Sequence, residues 1–225
     1  MKILLTGSTG LLGSHILDQG LKRDYQFILP YRKIKKRSYL SEVQEHKNIT
    51  LIEYNFKNSI NLLSLDKVDT VINSAAFVSP FEKDNTEMEF INHDFPKRLY
   101  TEAQRKGVEF FCQISSNSVF GTKDKNLIIN EGDTSAPRNT PYTQSKLRFD
   151  HWLQEQNQLP HGTIHPGYML DRYDSKPSSG ALILALKMKK FKNYHNRIKN
   201  IVSAQDVANA TLDLCLLYTS PSPRD

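Results

Sequence analysis

The chain has 225 residues and is short of several things that would signal particular functions. Cysteine occurs only at Cys112 and Cys215, far apart and in no Cys-x-x-Cys spacing. That excludes a disulfide framework and a thiolate metal site, and it predicts a reducing compartment. Long apolar runs are missing too. The longest, Ala181–Leu186, stops at Lys187, against the ~18 residues a membrane-spanning helix needs. Met1-Lys2-Ile3 opens directly into a strand pattern, which leaves no room for a leader, so a cytoplasmic protein outside the membrane is expected. The seven histidines are scattered. His161 and His165 are four apart, but Pro160, Gly162 and Pro166 exclude a helix that would align them, and no third ligand lies nearby, so no metal is expected. Excess charge is modest, with net +6 and a pI near 9.2. That suits a small anionic ligand, whereas no helix repeats a basic face interleaved with aromatics, so no nucleic-acid partner is expected.

What is present is an alternation of short apolar runs with helical periodicity. Strands are predicted at Lys2–Leu5, Gln26–Tyr31, Ile49–Tyr54, Val68–Ile72, Glu109–Ile114 and Gly162–His165. Helices are predicted at Leu11–Lys22, Met88–Lys106 (closed by Gly107) and Thr143–Gln156. Short connections between alternating strands and helices call for an α/β fold with a doubly wound parallel sheet. After Pro166 the pattern loosens into a loop at residues 174–180, a helix at Ala181–Lys190, a short strand at Ile201-Val202 and a helix from Ala204 to Leu214. The expected division is a dinucleotide-binding unit over 1–166 and a partial substrate-binding region over 167–214.

The strongest local signal follows the first strand: Thr6-Gly7-Ser8-Thr9-Gly10-Leu11-Leu12-Gly13. Strand, glycine turn and helix together make the cradle that holds a dinucleotide pyrophosphate. Gly7 permits the tight turn, Gly10 lets backbone N–H groups approach phosphate, and Gly13 lets the helix pack closely on the strand. A strand–helix turn without a ligand is the alternative. In a sheet of this kind ligands sit beyond the carboxyl ends of the strands. There the fourth strand runs into Asn73-Ser74-Ala75-Ala76, and small Ala75 and Ala76 allow a ribose to lie against the backbone. The fifth runs into Ser115-Ser116-Asn117-Ser118-Val119-Phe120-Gly121. Farther on, Tyr142 and Lys146 share one helix face a turn apart. A free phenol is almost entirely neutral at pH 7. An ammonium nearby favours the phenolate and would bring Tyr142 closer to the pH at which it can exchange a proton. Such a pair also arises on solvated helices, so its meaning depends on company.

The company is specific. Thr6–Gly13, Ser115-Ser116-x-x-Val119-Phe120-Gly121 and Tyr142-x-x-x-Lys146 occur in the order and spacing of the extended short-chain dehydrogenases/reductases, the NAD-dependent epimerase/dehydratase family, which the chain resembles over about Met1–Leu214. The resemblance implies a Rossmann sheet with a truncated C-terminal substrate-binding portion. It implies Tyr142 as general acid/base, Lys146 as the group that lowers its pKa and holds the nicotinamide ribose, and Ser116 as the hydroxyl that polarises substrate. It places Asn92 and Pro166 beside the cofactor. It also implies an enzyme acting on a small molecule, with a homodimer as an open option. The dehydratases of the family carry an Asp-Glu pair where this chain has Asn117-Ser118, so elimination is disfavoured. The stretches Pro166–Leu170, Lys176–Gly180 and Gln205–Ala208 are similar to bacterial proteins grouped with dihydroflavonol 4-reductase; Ser178 or Ser179 there is expected to cap the following helix. The expected reaction is hydride transfer between NADP(H) and a secondary alcohol or ketone. A nucleotide-sugar epimerase with tightly held NAD and a non-catalytic dinucleotide sensor are the alternatives.

Cofactor choice is read at the end of the second strand, where NAD-binding proteins place a carboxylate on the ribose 2′-hydroxyl. This chain has Tyr31-Arg32-Lys33 and no acid. Arg32 is placed to hold a 2′-phosphate with its planar fork, which favours NADP over NAD. Asn55 and Phe56 fall where the resemblance expects an Asp and an apolar residue around adenine. Finally, residues 215–225 back-translate to a transposase-type sequencing adapter, so that segment is expected to be foreign and the natural gene to continue past Leu214.

Overall fold

A computed structural model describes residues 1–34, 38–55, 67–79, 85–121, 139–174, 180–189 and 200–219. Phe56, Ser178 and Ser179 lie outside the described residues.

The sheet is built from β1 (Lys2–Thr6), β2 (Gln26–Tyr31), β3 (Ile49–Glu53), β4 (Thr70–Asn73), β5 (Phe110–Ile114) and β6 (His161–Ile164). Its order is β3-β2-β1-β4-β5-β6, with every pairing parallel. The order reverses at β1, so a crevice opens between the carboxyl ends of β1 and β4. Side chains alternate faces along a strand, and both faces are covered. Leu4, Ile28, Val71 and Phe111 pack under α4 (Phe95–Arg105) and α5 (Pro141–Gln154), against Phe95, Leu99, Phe149 and Leu153. Ile3, Leu5, Phe27, Ile72 and Phe110 pack under α1 (Leu11–Lys22) and α7 (Ala204–Thr219), against Ile16, Leu17, Val207 and Leu212. Burial on both faces is why β1 and β2 carry unbroken apolar runs, Ile3–Leu5 and Phe27–Pro30, rather than alternating ones. The doubly wound parallel sheet is thus as the alternation of elements required.

Three differences from the sequence reading have physical causes. The long helix expected over Met88–Lys106 is divided into α3 (Asn85–Glu89), a π-helical turn (Phe90–Asp94) and α4. Pro96 has no N–H for the carbonyl one turn back and its ring crowds that carbonyl; the wider turn, closed by Phe95 N–H to Phe90 O, relieves the conflict. The same helix ends as expected at Gly107, whose φ is +68° and whose neighbour Val108 donates to Ala103 O at 3.1 Å. Helix α5 begins two residues earlier than expected. Thr140 Oγ1 accepts from Thr143 N–H at 3.2 Å and Pro141 occupies the first turn, a cap and a proline in their preferred places. Beyond Pro166, β7 (Tyr168–Leu170) was not foreseen. It pairs in parallel with β8 (Ile201–Ser203), and Gly167 lets the strands meet, since a Cβ there would lie 2.7 Å from Asn200 O. The short helix α2 (Leu40–Val43) was likewise not foreseen, α6 spans Gly180–Lys187, and α7 runs on to Thr219, where the Tyr218 ring stacks on Phe110 with centroids 4.7 Å apart.

Candidate active site

The glycine loop leaves β1 through Gly7, whose φ of +73° lies in the left-handed region. A Cβ at Gly7 would sit 2.7 Å from the Ser74 and Ala75 backbone. A Cβ at Gly13 would sit 2.2 Å from Gly7 O. The helix therefore lies directly on the loop, and the loop directly on the end of β4. Gly10 N–H returns to Gly7 O at 2.9 Å, and Gly10 begins α1 in an extended conformation. The first-turn N–H groups of Leu11, Leu12 and Gly13 have no intrahelical acceptor, and no acidic side chain occupies that turn.

The loop that leads into this turn borders a crevice of about 500 Å³ lined by Gly7, Ser8, Thr9 and Gly10, by Tyr31, Arg32 and Lys33 from the end of β2, and by Ala75, Ala76 and Phe77 after β4; Leu11, Leu12 and Gly13 are not among its lining residues. Ser8 Oγ is buried there without a hydrogen-bond partner. Glycines with no room for side chains, unpaired helix N–H groups and an unsatisfied hydroxyl form a donor set that fits a diphosphate. Arg32 borders the crevice with its side chain 58% exposed and lies 3.7 Å from Glu87 of α3. Asn55 is exposed just past β3 and is not among the residues lining the crevice.

Asn92 does something other than line the crevice. Its Oδ1 accepts from Phe77 N–H at 2.9 Å, and its Nδ2 donates to Phe77 O at 2.9 Å and to Ser145 Oγ at 3.1 Å. The amide is 1% exposed and spent on protein; it pins the segment after β4 to α5. Pro166 is buried, and its carbonyl accepts from Asn117 N–H at 3.1 Å.

The second half of the site lies at the end of β5. Ser116 caps a 3₁₀ turn over Asn117–Phe120, closed by Gly121 at φ +79°. Ser116 Oγ accepts from Ser118 Oγ at 3.0 Å, and Ser118 Oγ accepts from Thr143 Oγ1 at 3.2 Å. The Tyr142 phenol, in the first turn of α5, interacts with the Ser116 side chain. One turn on, Lys146 is 1% exposed and its Nζ donates to Ile114 O at 2.9 Å. That carbonyl also receives Gln113 Nε2 at 2.8 Å. Gln113 in turn accepts from Asn73 Nδ2 at 2.8 Å, and Asn73 Oδ1 accepts from Thr6 Oγ1 at 2.5 Å. A buried polar ladder thus crosses β1, β4 and β5 from the root of the glycine loop to the lysine. Each side chain in it makes at least one hydrogen bond within the ladder, which low-dielectric surroundings demand.

The electrostatics correct one expectation. In the protein alone the Tyr142 phenol is held above its usual range, first by burial, with the Ser116 contact opposing and the Asp150 carboxylate adding. Lys146 is pushed down to about 8, chiefly by burial, with Asp150 opposing. Desolvation disfavours both charged forms. The spacing put the lysine beside the tyrosine, but its ammonium is turned to a β5 carbonyl. Sequence reasoning missed Asp150, which follows Lys146 by four residues on the same buried face. An acid at that spacing, on a face otherwise turned inward, was the available signal. It also gave His165 no part, yet His165 Nε2 lies 3.1 Å from Asp150 Oδ2.

The pattern of the NAD dependent epimerase/dehydratase family matches residues 3–163, most of the chain, from the glycine loop through Tyr142, Lys146 and Asp150. The chain belongs to that family. Among solved structures it is similar to the Bacillus cereus UDP-glucuronic acid 4-epimerase in complex with UDP-glucuronic acid and NAD, at 21% identity and a TM-score of 0.80, over 95% of this chain and 73% of that one. A Thermotoga maritima UDP-glucose 4-epimerase with UDP-glucose superposes at 20% identity and a TM-score of 0.80, over 94% and 72% of the two chains. The thiolation-reductase di-domain of an archaeal non-ribosomal peptide synthetase does so at 21% identity and a TM-score of 0.76, over 95% and 67%. Epimerases and a reductase share the family's fold, so the fold alone leaves the reaction open. Among the described residues no helix is long and apolar enough to cross a membrane.

Proposed function

We propose that this member of the epimerase/dehydratase family is an oxidoreductase that moves hydride between NADP(H) and a secondary alcohol or ketone. The observation that carries the reading is the convergence of Ser116 from the end of β5 with Tyr142 and Lys146 from α5, on the same sheet edge as the diphosphate-fitting crevice. When bound, the nicotinamide supplies or accepts the hydride. The chain's own residues do the rest. Ser116 orients and polarises the substrate oxygen. Tyr142 gives that oxygen a proton in reduction and takes one in oxidation, a step of the kind worth about 10²–10⁴-fold. Its raised pKa keeps the phenol loaded as an acid, which suits reduction of a ketone. Lys146 carries donors for ribose hydroxyls and a positive charge that steadies the phenolate as it forms.

NADP is favoured over NAD because the end of β2 presents Arg32 and Lys33 to the crevice and no carboxylate. A guanidinium reads a 2′-phosphate through paired charge-assisted hydrogen bonds, each worth about 1.5–3 kcal/mol. Titration with NADPH and NADH, followed by cofactor fluorescence, tests this. Wild type binds NADPH at least tenfold more tightly, and Arg32→Ala removes that margin while leaving NADH within twofold. Equal affinities in wild type would overturn the NADP assignment. The reaction is tested by screening ketones and aldehydes for NADPH consumption. Tyr142→Phe lowers turnover at least 100-fold and leaves NADPH affinity within twofold; undiminished turnover would refute the role of Tyr142.

A further inference from the structure

We propose that Asp150 is a positioning residue, the buried counter-charge that keeps Lys146 a cation. The inference rests on the reading of Tyr142 and Lys146 as the working pair and names the group behind them. Lys146 is almost wholly buried, and its hydrogen bond runs to Ile114 O, a neutral acceptor. A carbonyl satisfies a donor but does not balance a charge, and a buried ammonium without a partner charge loses its proton.

Asp150 supplies the missing charge from the same helix. Tyr142, Lys146 and Asp150 are four residues apart in turn, so they share one face of α5. Asp150 is 4% exposed. Its Oδ2 accepts from Ser115 Oγ at 2.5 Å and contacts His165 Nε2 at 3.1 Å, while Oδ1 is buried with no hydrogen-bond partner. Ser115 comes from the end of β5 and His165 from the end of β6, and the His165 ring lies against Phe120 with centroids 4.6 Å apart. Residues from three elements therefore hold a carboxylate on the lysine's side of the helix and leave one oxygen unsatisfied. Among the described residues the charged and titratable groups here are Tyr142, Lys146 and Asp150 on α5 and His165 beyond β6. A buried acid with an unmatched oxygen destabilises a fold unless it compensates a cation; beside His165, which touches Oδ2, Lys146 is the cation a turn away on the same helix face.

A competing account makes Asp150 a plain pin that ties α5 to β5 and β6. Asp150→Asn separates the two, because the amide oxygen can still accept from Ser115 and His165 while the charge is gone. The readout is the titration of Lys146 in protein labelled with ¹³C at lysine Cε, the resonance being assigned with Lys146→Arg. The expected wild-type midpoint is about 8. Asp150→Asn lowers the midpoint by at least about one unit, a tenfold smaller ratio of ammonium to amine at a given pH. Asp150→Glu, which keeps the charge, stays within half a unit of wild type. Asp150→Ser, neutral and small, gives the same fall as the asparagine variant and serves if that variant does not fold. A Lys146 midpoint unmoved in a folded neutral variant would overturn the proposal. No substrate is needed, so this result stands apart from the Tyr142→Phe turnover test: either can fail without the other.

Discussion

Gly13→Ala sets two effects of one methyl group against each other. In an isolated helix the change is favourable, since alanine outranks glycine by about 1 kcal/mol. Here the new Cβ would lie 2.2 Å from Gly7 O, whereas a relaxed carbon–oxygen contact is roughly 3.3 Å. The loop or the helix must give by about 1 Å. The obstacle is backbone, with no rotamer to change, so the overpacking cost falls at or beyond the upper part of the ~1–3 kcal/mol range. The clash outweighs the propensity gain, leaving about 2 kcal/mol of net destabilisation. For a domain of this size that is a fall in Tm of about 4–8 °C. The displaced atom is also the acceptor for Gly10 N–H at 2.9 Å, so the cradle moves with it, and a 1 Å misplacement costs on the order of 100-fold where geometry is critical. NADPH affinity measured by fluorescence should fall at least tenfold. Gly107→Ala is the control. Gly107, unlike the helical Gly13, has a left-handed φ, +68°, but nothing lies within 4 Å of its would-be Cβ. It should cost about 1–2 kcal/mol through backbone strain alone and leave NADPH affinity unchanged. A Gly13→Ala protein with wild-type Tm and affinity would refute the packing argument.

Two further outcomes follow from buried polar groups. Lys146, at about 8 in the folded protein against its ordinary 10.5, binds fewer protons folded than unfolded between those values. The lysine's contribution therefore rises with pH across that window and falls away as pH drops through about 8. The stability difference between wild type and Lys146→Met, from urea unfolding, should shift in favour of wild type by up to roughly 3 kcal/mol between pH 7.5 and 10.5; a flat difference would show that the ammonium is not desolvated. Asn92→Ala strands the Phe77 N–H and carbonyl and removes one donor from the Ser145 hydroxyl, which keeps its bond to Tyr142 O. At about 1–3 kcal/mol for an orphaned buried group, urea unfolding should show a loss of about 2–4 kcal/mol, and a loss under 1 kcal/mol would mean that water replaces the amide.

The parts of the site legible in sequence are those fixed by local geometry. Gly7 and Gly13 could be read because a turn with positive φ and a helix on a loop admit only glycine. Tyr142 and Lys146 could be read because helix pitch alone puts i and i+4 on one face. Arg32 could be read because the end of β2 sits at a set distance past the glycines. Asn92 was placed in the right region but with the wrong partner, because what its amide meets depends on the path of the chain after β4. The long helix was divided where Pro96 falls, a signal present in the sequence but overridden by the strong periodicity on either side. Asp150 was passed over although its spacing of four from Lys146 was a legible signal, and its contact with His165 was not legible because an acid and a histidine fifteen residues apart carry no local pattern.

By itself the sequence determined the order of strands and helices, the glycine cradle and the face of α5 that carries Tyr142 and Lys146. These follow from steric rules that act over a few residues. Only the tertiary structure decided the charges. Whether burial raises the tyrosine and lowers the lysine, and whether Asp150 stands behind them, depends on β5 and β6 closing over α5 and shutting out water. Desolvation is a property of everything packed around a group, and no stretch of sequence contains it.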